Sequence, residues 1–324
     1  MPHPSQPSPL LRCACAGNNC RFFTWMSHCL LLSLTVLLAA GSGCRTLRGK
    51  KESDETIALT RQLALQGKAA QQKGQWDKAE AHFAEAVKLA PNDERAHCGY
   101  AESLWRRGAQ EQAVTHMVEA VKLSGNDPER LVQLGQMYLT LNNLPAAMRQ
   151  ADKAIAANKH LASGWALRAD VQRVNGQREE ALAAYHRALS FQPHYPEVQV
   201  AVADLYNQSQ RPQRALATLQ SLADQFPPGS VPPDVLFRQG LVLKQLGRPQ
   251  DAAECLAAAA QRQPSPDLLY ELAQTRLLAG DVGNATAAVN GALQLDPAHA
   301  SALQLRSELT SRQQGLFGSL EIRR

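Results

Sequence analysis

The 324-residue sequence has no HExxH pair, no glycine-rich phosphate loop, no dinucleotide fingerprint and no GxSxG elbow. Each of those patterns sets particular donors at a fixed spacing, so the zinc-hydrolase, nucleotide-dependent and serine-hydrolase chemistries have no local signature here. His82, His97, His116, His160, His186, His194 and His299 are scattered without metal-ligand spacing and read as surface or packing residues. Cys13, Cys15 and Cys20 lack an adjacent fourth ligand, which makes a zinc site there weak. No metal, cofactor or small-molecule substrate is expected. A basic stripe with interleaved aromatics is also missing, which argues against nucleic-acid binding despite the formal charge of +5.

What the chain does contain is recurrence. Ala79, Ala113, Ala147, Ala181, Ala215, Ala252 and Ala285 return at intervals of about 34 residues, the period of a stacked helical array. Units counted from Thr60 begin again at Glu94, Pro128, Ala162, Pro196, Pro233 and Pro266. Small residues recur where two helix backbones must approach: Gly67, Ala101, Gly135, Ala169, Ala203, Gly240 and Ala273 in each first helix. A second small position holds Ala86, Ala120, Ala154, Ala188, Ala259 and Ala292, with Leu222 as the exception. Phe83, Met117, Tyr185, Leu219, Leu256 and Val289 share one larger slot, which Ala151 leaves small. Gly74, Gly108, Gly176, Gly247 and Gly280 mark the turn inside a unit, where Asn142 and Gln210 stand in two others. Pro91, Pro193, Pro227, Pro264 and Pro297 stop the second helices.

With these residues the chain resembles the tetratricopeptide repeat family over roughly residues 60 to 299, most fully around Trp165, Ala169, Gly176, Ala181, Tyr185, Ala188 and Pro193. Departures are Gly125 and Lys159 where proline is usual, and Gln199 where a bulky apolar residue is expected. The resemblance implies an all-α fold, an α-solenoid: a right-handed superhelix of about seven helical hairpins plus a C-terminal capping helix. One hairpin cannot bury its own apolar face, so stacking and a polar cap supply the stability. Ala302, Leu305 and Leu309 give the segment after His299 the single apolar face of such a cap.

Residues 1–43 differ in kind. They hold Arg12 and Arg21 but no acidic residue, and the apolar run from Cys29 to Ala40 is interrupted only by Ser33 and Thr35. A spanning helix needs about 20 apolar residues, so this run has the length of a signal-peptide core. The following Gly41, Ser42, Gly43 and Cys44 are similar to a bacterial lipoprotein processing site, with Gly41 in place of the usual leucine. That resemblance implies a lipidated Cys44. Ordinary cleavage between Ala40 and Ser42, giving a soluble exported protein, is the alternative, and Met26 offers a second possible start.

Loss of Arg12 and Arg21 with this segment lowers the formal charge from +5 to +3. Cys98 and Cys255 fall in units two and six, too far apart in a stack to form a disulfide. Arg45, Arg48, Lys50 and Lys51 suit a solvated tether. The resulting plan is a signal peptide (1–43), a tether (44–59), five repeats (60–229), a proline-rich insertion (230–232), two repeats (233–299), a cap (300–314) and a flexible tail (315–324). Four prolines around Gly229 slip the phase by three residues, which either redirects the stack or is a tolerated insertion.

The family's concave wall, carried onto matching positions, comprises Arg61, Lys68, Arg95, Glu102, Trp105 and Arg106, then Asp170, Arg173, Asp204 and Asn207, then Phe237, Leu241, Lys244, Tyr270 and Gln274. Trp105 beside Arg106 has the composition of an interface anchor, with packing onto the next unit as its alternative. Trp76 and Trp165 occupy slots of structural aromatics. Ala64 and Lys68 stand where the family's chaperone-binding clamp needs lysine and asparagine, which disfavours a cochaperone role. These readings point to a non-catalytic adaptor, tethered to a membrane through a lipid and facing the periplasm or cell exterior. An extended peptide or helix of a protein partner in the groove would be its ligand. The alternatives are a soluble exported adaptor and an accessory subunit of a cell-wall or glycosyl-transfer enzyme.

Overall fold

The computed structural model describes residues 54–321, with side chains as far as Ser311. Residues 1–53, including the signal segment and Cys44, lie outside it. The described residues form helices and no strand. They fall into two compact units, one ending at Pro91 and one beginning at Asn92.

The first unit is a hairpin of α1 (54–72) and α2 (Trp76–Leu89). A Cβ on Gly67 would sit 2.7 Å from the Phe83 ring, so only a bare backbone lets that phenyl group lie flat against α1. Leu63, Ala70, Ala79 and Ala86 complete its buried face. Helix α1 begins six residues before Thr60, so the end of the expected tether is helical.

The second unit repeats the hairpin six times. Its first helices are α3 (Glu94–Arg106), α5 (Pro128–Thr140), α7 (Ala162–Val174), α9 (Pro196–Gln208), α11 (Pro233–Gln245) and α13 (Pro266–Leu278). They alternate with α4 (Gln110–Leu123), α6 (Leu144–Ala157), α8 (Arg178–Phe191), α10 (Pro212–Ala223), α12 (Pro249–Arg262) and α14 (Val282–Leu295). A last helix, α15 (Ala300–Glu321), covers the end and runs beyond the cap expected to stop at 314, through most of the residues expected to be a loose tail.

The helix starts follow from local chemistry. Proline opens α5, α9, α11 and α13, where its missing N–H costs nothing. Carboxylates or a hydroxyl cap α3, α5 and α13: Asp93 accepts from the amides of Arg95 and Ala96, Asp127 from Arg130, and Ser265 from Leu268. The turns within hairpins need a left-handed residue. Gln210 adopts φ 57° there, a conformation that a glycine would take with less strain.

Packing passes from hairpin to hairpin without a central core. One apolar cluster joins α3 to α7, another α7 to α9, a third α9 to α12 and a fourth α12 to α15. This nearest-neighbour relay is what makes the array a solenoid. The connection that carries the 230–232 insertion belongs to the third cluster: Phe226 and Val231 pack on it, and the Arg262 guanidinium donates to the carbonyls of Gly229 and Val231. An arginine thus clamps the connection to the end of α12. Gln199, the polar residue in an apolar slot, is buried and its carbonyl accepts from Gln225 at 3.4 Å.

Candidate functional site

Successive first helices of the second unit share a face, and ion pairs about one repeat apart mark it. Arg130 on α5 donates to Glu94 on α3 at 2.6 Å, Arg238 on α11 to Asp204 on α9 at 2.9 Å, and Lys244 on α11 to Glu271 on α13 at 2.8 Å. His299, just before α15, meets Asp267 on α13 at 3.0 Å. Partly exposed pairs of this kind stabilise by about 0–1 kcal/mol each. Their larger effect is to fix the long side chains of the wall.

The centre of the wall is more deeply built. Tyr185 on α8 is 1% exposed and donates its hydroxyl to Asp170 at 2.5 Å, while Arg173 Nε donates to the same phenol oxygen at 3.2 Å. Burial raises the Asp170 carboxyl above its usual range, opposed by Tyr185 and Arg173. Asp204 is likewise raised, first by burial, with Arg238 opposing. Burial and then Asp170 push the Tyr185 phenol well up. Burial thus disfavours the charged form of both carboxylates, and the neighbouring cations and the Tyr185 hydroxyl oppose it.

The candidate residues divide accordingly. Arg61 and Lys68 are exposed on α1 in the first unit. Arg95, Glu102 and Arg106 are exposed on α3. Trp105 is half-buried and packs on the α3–α7 cluster, so the packing weighed for it beside an anchor role is present. Asp170, Arg173 and Asp204 form the network above. Asn207 lies one turn beyond Asp204, with its Oδ1 buried and without a hydrogen-bond partner in the protein. Phe237 and Tyr270 are half-buried beside the α12–α15 cluster, Leu241 is half-buried on the same face, and Lys244 also reaches Gln274. Trp76 is half-buried. Trp165 packs on the α7–α9 cluster and donates its indole N–H to Lys159 at 2.9 Å, tying down a boundary that lacks proline.

Sequence reasoning missed Arg130, Asp234, Arg238 and Glu271. Opposite charges 34 residues apart, as in Asp204 and Arg238, were the available signal. His97 and His116 approach with their Nδ1 atoms 3.1 Å apart. Burial and His97 lower the His116 pKa, and no group of three potential metal ligands converges among the described residues. Cys98 is a buried thiol pushed up to about 11, chiefly by burial, and is therefore poorly nucleophilic. No described helix is long and apolar enough to cross a membrane.

Models of the tetratricopeptide repeat match residues 65–129, 175–230 and 237–300, together more than half of the chain. No curated protein matches significantly. Solved structures agree on the fold. PilF of Pseudomonas aeruginosa is similar at a TM-score of 0.56 and 14% identity, covering 65% of this chain and 94% of its own. A tetratricopeptide repeat protein of Parabacteroides merdae has a TM-score of 0.56 at 12% identity, covering 78% and 99%. YrrB, described as having an unusual peptide-binding site, has a TM-score of 0.50 at 19% identity, covering 59% and 97%.

Proposed function

The chain belongs to the tetratricopeptide repeat family, and from that premise we propose that it is a non-catalytic scaffold of the bacterial cell envelope, anchored through a lipid on Cys44, whose first-helix wall holds a segment of a partner protein. The observation that carries this reading is where large apolar side chains stay exposed. In the second unit Val174 is 48% exposed on α7 and Leu278 62% on α13, both first helices, against Leu295 at 52% on a second helix; in the first unit Leu65 is 70% exposed on α1. Exposed apolar surface on first helices is what a partner can bury. A lipid at Cys44 would leave a short basic segment between the membrane and α1. The peptide-binding description of YrrB is a precedent for a groove of this fold.

Co-purification from detergent-solubilised membranes tests the scaffold. The native chain should retain defined partners, and Val174→Asp with Leu278→Asp should lose them while helical CD and thermal midpoint stay unchanged. Partner recovery unaffected by both substitutions would refute the wall as the binding surface. Labelling with a clickable fatty acid tests the anchor in the same membranes. Incorporation should vanish in Cys44→Ala, and equal labelling of both chains, or none, would leave a scaffold without the lipid.

A further inference from the structure

We infer that the wall from α9 to α15 selects a basic, amphipathic segment of its partner, an inference that rests on reading the wall as a peptide groove and adds the chemistry of the ligand. The charge balance is local. On α9, α11 and α13 stand Glu197, Asp204, Asp234, Asp267 and Glu271 against Arg238, Lys244 and Arg276, an excess of two negative charges in a chain that is +5 overall.

All three cations are already engaged. Arg238 donates to Asp204 at 2.9 Å and to Asp234 at 3.2 Å, one guanidinium serving two carboxylates, and Lys244 donates to Glu271 at 2.8 Å. The third, Arg276, donates to the carbonyl of Asn284 at 3.2 Å. Asn207, one turn from Asp204, has a buried Oδ1 with no donor in the protein. An apolar strip runs through the same region, with Phe237 and Tyr270 half-buried, Leu278 62% exposed and Leu303 38% exposed. Apolar anchors flanked by lysine or arginine would bury that strip and neutralise its rim. An acidic segment, or an anionic membrane surface, would meet repulsion instead.

Three fluorescent peptides of about 16 residues, with leucines spaced for one helix face and the other positions lysine, glutamine or glutamate, test this against the full chain by anisotropy. The lysine peptide should bind about tenfold or more tighter than the glutamine peptide, with the difference shrinking as salt rises. The triple variant Glu197→Gln, Asp234→Asn, Asp267→Asn should remove that difference and leave glutamine-peptide binding and helical CD unchanged. Equal binding of the lysine and glutamine peptides, both lost on Leu278→Asp, overturns the charge selection while the groove reading stands. If none of the three peptides binds and partner capture also survives Leu278→Asp, the groove reading falls with it. Self-association of the native chain in sedimentation, lost in the triple variant, would overturn the inference in favour of a second copy as the occupant.

Discussion

Leu256→Ala is expected to destabilise the α11–α13 region by about 3 kcal/mol, and Gly240→Ala, harmful alone, is expected to recover part of that loss. Leu256 is fully buried, and truncating a buried leucine costs about 2–5 kcal/mol through lost transfer energy and the cavity left behind. A Cβ on Gly240 would meet Leu256 Cγ at 2.5 Å and Cδ2 at 2.8 Å, so the methyl group cannot enter while the leucine is present. Overpacking of that kind costs about 1–3 kcal/mol, partly offset by alanine's helix preference of about 1 kcal/mol over glycine. Once Leu256 is cut back those two atoms are gone, and the nearest remaining obstacle is the Ala252 carbonyl at 3.2 Å. The double variant should therefore be about 1 kcal/mol more stable than Leu256→Ala alone. Urea unfolding by CD, with hydrogen exchange at α11 to α13, measures the cycle. Simple additivity would show that the glycine is not there for the leucine.

The same close approach shows what was legible in the sequence. Recurring small residues located the contacts between helices, because a backbone approach restricts one position to glycine or alanine whatever surrounds it. They did not say which side chain fills the gap. Ala151 leaves its slot small, and Leu167 from the following repeat is the side chain that a Cβ on Gly135 would strike. That exchange of volume between repeats cannot be read from one unit at a time. Trp105 shows a related ambiguity: a wall position near the end of α3 is also within reach of an apolar cluster, on which the half-buried indole packs. Gln199 looked like an error in an apolar slot until Gln225, just past the end of α10 in the same hairpin, supplied its donor. Charges on the wall were visible as residues, but their pairing needed the 34-residue period applied to polar positions as well as small ones. Helix starts came through best where proline or a capping carboxylate marks them, as at Pro128 and Asp93.

Tyr185→Phe is expected to cost about 2 kcal/mol at pH 7 and less at acid pH, a dependence that separates its polar role from its packing role. Phenylalanine keeps the ring, so the apolar cluster between α7 and α9 loses little. What disappears is the hydroxyl that donates to Asp170 at 2.5 Å, and hydrogen bonds to a charged partner contribute about 1.5–3 kcal/mol. Arg173 remains, with its Nη2 3.7 Å from the carboxylate. The sign of the pH effect follows from the raised Asp170 carboxyl. A group whose folded pKa lies above its unfolded value contributes stability that is present below the unfolded value and lost as pH rises through the folded one. Removing Tyr185 takes away an interaction that lowers the Asp170 pKa, so the folded value climbs further and the loss on raising pH grows. The gap between native chain and variant should widen from pH 4 to pH 7, read as the difference in urea midpoint. In an Asp170→Asn background the widening should vanish, because no proton is left to titrate. A gap that stays constant with pH would mean that Tyr185 acts by shape alone, and that Asp170 and Arg173 hold the centre of the wall without it.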